Sequence, residues 1–207
     1  MVSKNPTAKP ESLSAPEKRI RLFIAINLPA ALKSRLRELQ HELESSVNKR
    51  AVRWTRPEQL HITLKFIGYV EPSAQAAIEK ELQKGCEGTP QFRLEVEGVG
   101  CFPNARSPRV IWVGTAGELT PLLELQKRIE TATSAWAEPE HRDFKPHLTL
   151  GRVKEVRKRD VQSIATFLEK HQGTQFGEWK VRTVDLMQSV LSSQGPSYTC
   201  LHSVTLA

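Results

Sequence analysis

Apolar residues fall along this chain in two periods, short runs or alternations of strand type and longer stretches of helical type. Leu22-Phe23-Ile24-Ala25-Ile26 is an unbroken apolar run closed by Asn27 and Pro29 and reads as a buried strand. Leu32, Leu36, Leu39 and Leu43 then recur at helical spacing and predict an amphipathic helix of about four turns. Val52-Arg53-Trp54 and a Pro57-Glu58 turn lead into a strand from Leu60, closed by Gly68, and a helix is expected between Pro72 and Cys86. The order then repeats with variation. Phe92 to Val99 alternates, Arg109 to Val113 is its meander partner, and Leu122, Leu125, Ile129, Ala132 and Trp136 mark a helix from Leu119 to about Trp136. The loop Glu138 to Lys145 delivers the chain to a strand after Pro146, followed by a helix over about Asp160 to His171. Two long strands, about Trp179 to Leu191 and Tyr198 to Thr205, flank a Ser-Ser-Gln-Gly-Pro turn and predict a hairpin. Helices mixed with antiparallel strands predict an α+β fold. Residues 1–19, rich in Pro, Ser, Lys and Glu and without apolar period, are expected to be a disordered extension, and residues 20–207 the folded domain.

Two of the predicted strands carry the same unit, His61-Ile62-Thr63-Leu64 and His147-Leu148-Thr149-Leu150. Side chains two residues apart on a strand share a face, so His61 emerges with Thr63 and His147 with Thr149, above an apolar floor. Strict alternation from Leu60 puts Ile62, Leu64 and Phe66 on the floor and His61, Thr63 and Lys65 on the polar side. A pair of such units in matching apolar context predicts one site built from two halves.

The pair points to displacement at phosphorus, which needs a base beside the attacking oxygen and an acid beside the leaving oxygen. Histidine, with an unperturbed pKa of about 6.5, serves either task near neutrality, and two coupled rings predict a bell-shaped pH profile. The threonine hydroxyls are candidates to hydrogen-bond the non-bridging phosphate oxygens. A zinc hydrolase with His61 and His147 as ligands would require a third or fourth ligand at local spacing, such as HxxxH or CxxC, and the sequence has neither. It also has no glycine-rich nucleotide loop of the GxxxxGK[ST] or GxGxxG type. His41, His141, His171 and His202 lack a threonine partner and are expected to be surface or structural residues.

Charge sharpens the choice of substrate. Lys+Arg 30 against Asp+Glu 23 leaves a formal +7 in 207 residues, which favours a polyanionic partner. Arg152, Lys154, Arg157, Lys158 and Arg159 cluster directly after the second unit, either as positive potential beside the site or as a solvated loop and helix start. Three cysteines without CxxC spacing and the lack of a leader-like or membrane-length apolar segment predict a cytoplasmic protein.

Around these units the chain resembles the two-histidine (2H) phosphoesterase superfamily, and within it the RNA 2′,3′-cyclic phosphodiesterase family, also called 2′-5′ RNA ligase. The resemblance runs from about Arg21 to Leu206 and includes R-L-F-I-A-I-N-L-P, R-W-T-R-P-E-Q-L-H-I-T-L-K-F-I-G, P-R-V-I-W-V-G and F-K-P-H-L-T-L-G-R-V. It implies a bilobal, pseudo-two-fold α+β fold, with two mainly antiparallel sheets lining a central cleft and helices outside. It implies no required metal or organic cofactor and action on RNA ending in a 2′,3′-cyclic phosphate, hydrolysed to a 2′-phosphate, with reversible 2′-5′ joining as the related reaction; the chain is expected to be a monomer. Carried onto this chain, His61 is the proton donor to the leaving 3′ oxygen, His147 the proton acceptor, and Thr63 and Thr149 hold the phosphate. Arg152 is the candidate phosphate-binding arginine after the second unit, although simple alternation sets it opposite His147, so a bulge is required. Phe144 is a candidate base-stacking residue, or else a plug anchoring the incoming loop. Lys65 is a further phosphate candidate; Arg109 and Tyr198 are weaker ones. The competing readings are a non-catalytic RNA-binding module of this fold, and a phosphodiesterase for a small cyclic nucleotide or an ADP-ribose cyclic phosphate.

Overall fold

A computed structural model describes residues 19–140, 142–193 and 195–207; the N-terminal segment read as an extension, apart from Arg19, and His141 lie outside them. The first strand, β1 (Ile20–Asn27), is apolar without alternation because both of its faces are covered. Leu22, Ile24 and Ile26 enter the main core beneath the helices, while Phe23 and Ala25 pack with Met187 and Tyr198 on the other face. Helix α1 (Ala30–Glu44) buries Leu32, Leu36, Leu39 and Leu43, the predicted stripe. It is followed by β2 (Val52–Trp54), a single 3-10 turn at Pro57–Gln59, β3 (His61–Val70) and α2 (Gln75–Cys86). The second half begins with the meander β4 (Phe92–Phe102) and β5 (Val110–Gly117) and continues through α3 (Leu119–Ala132), β6 (His147–Val153) and α4 (Lys158–Lys170). Strands β7 (Gln175–Val181), β8 (Thr183–Ser192) and β9 (Gly195–Thr205) complete the chain.

All strand pairs are antiparallel, in the order β7-β4-β5-β6-β3-β1-β8-β9, with β2 alongside β6. The two expected sheets therefore join into one, and the joint between them is the single residue pair Ile62 opposite Leu148. About this joint the halves correspond, each running strand, helix, His-x-Thr strand and second helix; from α2 the chain crosses directly to the other half, and from α4 it first adds β7 beside β4. Strand β4 crosses to pair with β5, and β8 crosses to pair with β1.

Two expectations are corrected. The strand expected over Trp179 to Leu191 is two strands broken at Arg182, because β7 pairs with β4 at one edge while β8 pairs with β1 in the other half. Continuous β propensity cannot register a change of partner. Helix α3 ends at Ala132 rather than near Trp136, since both the backbone N–H and the hydroxyl of Thr133 donate to the Ile129 carbonyl and close the last turn.

Candidate active site

The joint between the halves builds the site. Ile62 and Leu148, the middle residues of the two His-x-Thr units, are direct cross-strand partners and are fully buried. Their neighbours must project to the opposite face, which places His61, Thr63, His147 and Thr149 together in a cleft of about 650 Å³. Continued from that pair, the register sets His61 across from Thr149 and Thr63 across from His147. The two histidines then occupy diagonal positions, which in an antiparallel pair lie about 7–8 Å apart at the backbone, so that both rings face the same part of the cleft.

Both rings are oriented in the same way. His61 Nδ1 donates to the Gln59 carbonyl at 2.6 Å, and His147 Nδ1 donates to the Lys145 carbonyl at 2.7 Å. A carbonyl only accepts, so in each neutral ring the proton sits on Nδ1 and Nε2 is the free basic nitrogen. The Thr63 hydroxyl donates to His61 Nε2 at 3.0 Å. Phe23 and Tyr198 pack on His61 with ring centroids at 4.9 and 5.4 Å, and Phe102 and Trp112 flank His147 at 5.1 and 6.4 Å. This aromatic casing removes water from the rings and disfavours their charged forms. Burial pulls His61 down to about 4, against the opposing effect of its bond to Gln59, with Lys33 and His147 adding smaller repulsions. Burial also lowers His147, and the Arg152 guanidinium acts in the same direction.

Beyond each threonine the strand carries a β-bulge. Ile24 pairs with Lys65 but Ala25 with Thr63, leaving Leu64 as the extra residue; Ile111 pairs with Gly151 but Trp112 with Thr149, leaving Leu150 as the extra residue. Each bulge shifts the alternation by one. Arg152 consequently lines the cleft, through the bulge its candidacy required. The matching shift in β3 removes Lys65: it is buried, paired with the Glu130 carboxylate and donating to the Glu138 carbonyl at 2.7 Å, on the helix side of the sheet. Phe66, expected on the floor, enters the cleft instead. Phe144 packs against the main core and is not among the cleft-lining residues, in keeping with the plug role.

Arg21, Arg53, Arg56 and Arg152 line the cleft, and among the described residues no carboxylate does. The first three carry no local signal of a site, because Arg21 and Arg53 sit in strands whose pattern is set by their apolar neighbours and Arg56 sits in a turn. Tyr198 lines the cleft and Arg109 does not. Of the basic cluster after the second His-x-Thr unit only Arg152 reaches it; Arg157 caps the start of α4, its backbone N–H donating to Asp160 at 2.9 Å. His41, His171 and His202 are placed away from the cleft, beside Glu44, Glu42 and Glu79 respectively. Among the described residues no three His, Cys, Asp or Glu side chains converge as metal ligands, and no helix is long and apolar enough to cross a membrane.

A half-barrel sheet carrying paired His-x-Thr strands is the architecture of the two-histidine phosphoesterases. The chain belongs to that class through the LigT-like phosphoesterase family, whose model matches residues 26–112 and again residues 113–198, with one His-x-Thr unit in each match. Among its relatives, the RNA 2′,3′-cyclic phosphodiesterase of Archaeoglobus fulgidus is 38% identical over 182 residues, covering 86% of this chain and 96% of the relative. The enzyme of the same name from Methanothermobacter thermautotrophicus is 34% identical, covering 87% and 96%. A crystallised protein from Thermus thermophilus superposes with a TM-score of 0.74 at 28% identity, over 90% of this chain and 97% of that one.

Proposed function

We propose that this enzyme hydrolyses RNA 2′,3′-cyclic phosphate ends to 2′-phosphates by paired histidine acid-base catalysis without a metal. The observation that supports the reading is the cross-strand pairing of Ile62 with Leu148, which brings both histidines into one cleft, each with its Nδ1 hydrogen-bonded to a carbonyl and its Nε2 as the basic nitrogen. The names of relatives that align over most of this chain support the substrate class. In this reaction His147 Nε2 takes a proton from water as its oxygen bonds to phosphorus. The P–O3′ bond breaks, and His61 Nε2 delivers its proton to the departing 3′ oxygen. Thr63, Thr149 and Arg152 hold the non-bridging oxygens and stabilise the charge that builds there. A 5′-hydroxyl in place of water gives a 2′-5′ phosphodiester by the same step, its proton passing to His147 as P–O3′ breaks and His61 protonates the 3′ oxygen; by microscopic reversibility the same pair, with roles exchanged, returns the cyclic phosphate.

Both rings are biased toward the neutral form in the free cleft, so the acid acquires its proton with the anionic substrate. A phosphodiester between the rings supplies the negative charge that favours an imidazolium.

The test is to incubate the protein in EDTA with an oligoribonucleotide ending in a 2′,3′-cyclic phosphate and to identify the product by mass spectrometry and phosphatase sensitivity. A 2′-phosphate is expected, with turnover falling about 10²- to 10⁴-fold in His61→Ala and in His147→Ala. Tight binding without conversion would instead favour a binding module, and conversion only of a small cyclic nucleotide would reassign the substrate.

A further inference from the structure

The cleft continues past the reacting centre along β3. Phe66 is 52% exposed and Tyr69 58% exposed, and across from them Leu191 of β8 is 59% exposed. These are three of the five large hydrophobic residues exposed among the described residues, and all three line this one cleft. Measured on the partner strand β1, where His61, Phe66 and Tyr69 face Asn27, Phe23 and Arg21, Phe66 lies roughly 13 Å and Tyr69 about 20 Å along the sheet from His61, farther than one nucleoside cyclic phosphate extends. Arg21 lies over the Phe66 ring at 6.0 Å and is fixed by a hydrogen bond to Ser189 at 3.1 Å. Exposed aromatic faces interleaved with guanidinium groups, in a cleft that no carboxylate among the described residues lines, match the chemistry of single-stranded nucleic acid: bases stack while phosphates meet arginine.

We infer that Phe66 and Tyr69, with Arg21, form a stacking track for the nucleotides 5′ of the reacting phosphate, making single-stranded RNA rather than a mononucleotide the preferred substrate. This rests on the proposed function, and the experiment separates the two. kcat/KM is measured for a nucleoside 2′,3′-cyclic phosphate and for a short oligoribonucleotide with the same 3′ end, in wild type, Phe66→Ala and Tyr69→Ala. Wild type should favour the oligonucleotide, and each variant should reduce that ratio, by roughly tenfold or more when both are combined. Damage to the fold would lower both rates and leave the ratio unchanged, which overturns the track. Wild-type turnover of the mononucleotide with no gain from 5′ extension overturns it as well, while leaving the hydrolase intact. Failure on both substrates removes the hydrolase and the track with it.

A second, independent observation concerns what holds the bulges. Leu36-Arg37-Glu38-Leu39-Gln40-His41-Glu42-Leu43 and Leu122-Leu123-Glu124-Leu125-Gln126-Lys127-Arg128-Ile129 share the pattern L-x-E-L-Q-x-x-[L/I], and each precedes its His-x-Thr unit by a similar interval. Both glutamines are buried on apolar helix faces, where a polar residue needs a reason. Gln40 Nε2 donates to the carbonyls of Leu150 and Thr55, each at 2.8 Å, and Gln126 Nε2 donates to the carbonyl of Leu64 at 3.4 Å. Leu150 and Leu64 are the extra residues of the two bulges, so the helix of each half clamps the bulge of the other. The geometry points to Gln40 as a positioning residue that keeps Arg152 turned into the cleft, with Gln126 as its counterpart in β3.

A double-mutant cycle tests this role. Gln40→Met should raise KM several-fold with a smaller change in kcat, and should add nothing to KM in an Arg152→Ala background. Effects that multiply would show that Gln40 only stabilises the fold and would overturn the role. Gln40→Asn, which keeps a donor, is the milder variant for the same cycle if Gln40→Met does not fold.

Discussion

His61 and His147 are set for proton transfer by the atoms behind them. The carbonyls of Gln59 and Lys145 hold the Nδ1 protons, which commits both Nε2 atoms to the cleft. The aromatic residues around them have the opposite electrostatic consequence, since burial makes either imidazolium costly. In the free enzyme both titrations fall below the ordinary histidine value of about 6.5, so the alkaline limb of kcat/KM should lie below it as well. The limb of kcat should lie at higher pH, because the bound anion stabilises the charged ring. Rate profiles from about pH 4 to 9 check this, and coincident limbs would contradict it. Stability should follow linkage. With His61 lowered to about 4 in the folded chain and near 6.5 unfolded, the unfolded state binds more protons between those values. The His61 contribution is therefore present above about pH 6.5 and is lost as pH falls toward about 4. Thermal melts of His61→Asn should show a weaker acid loss over that window than wild type.

At the scale of elements, the meander β4-β5 supports the second histidine through one close approach. Gly100 lies opposite Trp112, and a Cβ added at Gly100 would come within 2.2 Å of the indole. The missing side chain is what lets the ring lie across β4, against Phe102 and beside His147. Gly100→Ala should destabilise by about 1–3 kcal/mol, as overpacking does, and should lower turnover by displacing the indole toward His147. Melting curves and kcat/KM of Gly100→Ala, with and without Trp112→Leu, check the cause. Shortening the indole should recover most of the lost stability; no recovery would place the strain elsewhere. The paired bulges belong to this scale too. Matching shifts in two strands bring Phe66 into one half of the cleft and Arg152 into the other.

For the whole molecule, the pseudo-two-fold arrangement makes the two halves unequal in use. The half built on β3, β1, β8 and β9 contributes Arg21, Phe66, Tyr69, Leu191 and Tyr198 to the cleft, while β6 contributes His147, Thr149 and Arg152. The arginine-lined cleft lies on a chain of net charge +7. Binding should therefore release counterions. log(kcat/KM) for an oligoribonucleotide should fall linearly with log salt, with a slope of about −0.7 for each phosphate neutralised, and should fall less for a mononucleotide. Equal slopes from about 50 to 400 mM salt would mean that the arginines outside the reacting centre do not meet RNA phosphates.

Local pattern alone determined much of this protein. The leucine stripe of α1, the doubly buried run of β1, the meander and both His-x-Thr strands are legible because periods of about 3.6 and 2 need only neighbouring residues. The shared face of each His-Thr pair was legible for the same reason, since residues i and i+2 share a side whatever the strand pairs with. The duplicated L-x-E-L-Q pattern was also present in the sequence, but a buried glutamine acquires meaning only when the carbonyl it meets is known. Tertiary structure alone decided the rest. Leu64 and Leu150 become extra residues only through pairing with β1 and β5, and that shift buries Lys65 while it admits Phe66 and Arg152. The break at Arg182 likewise follows from β7 and β8 joining different partners. Register and partner choice come from contacts between residues far apart in the chain, which no local period can encode.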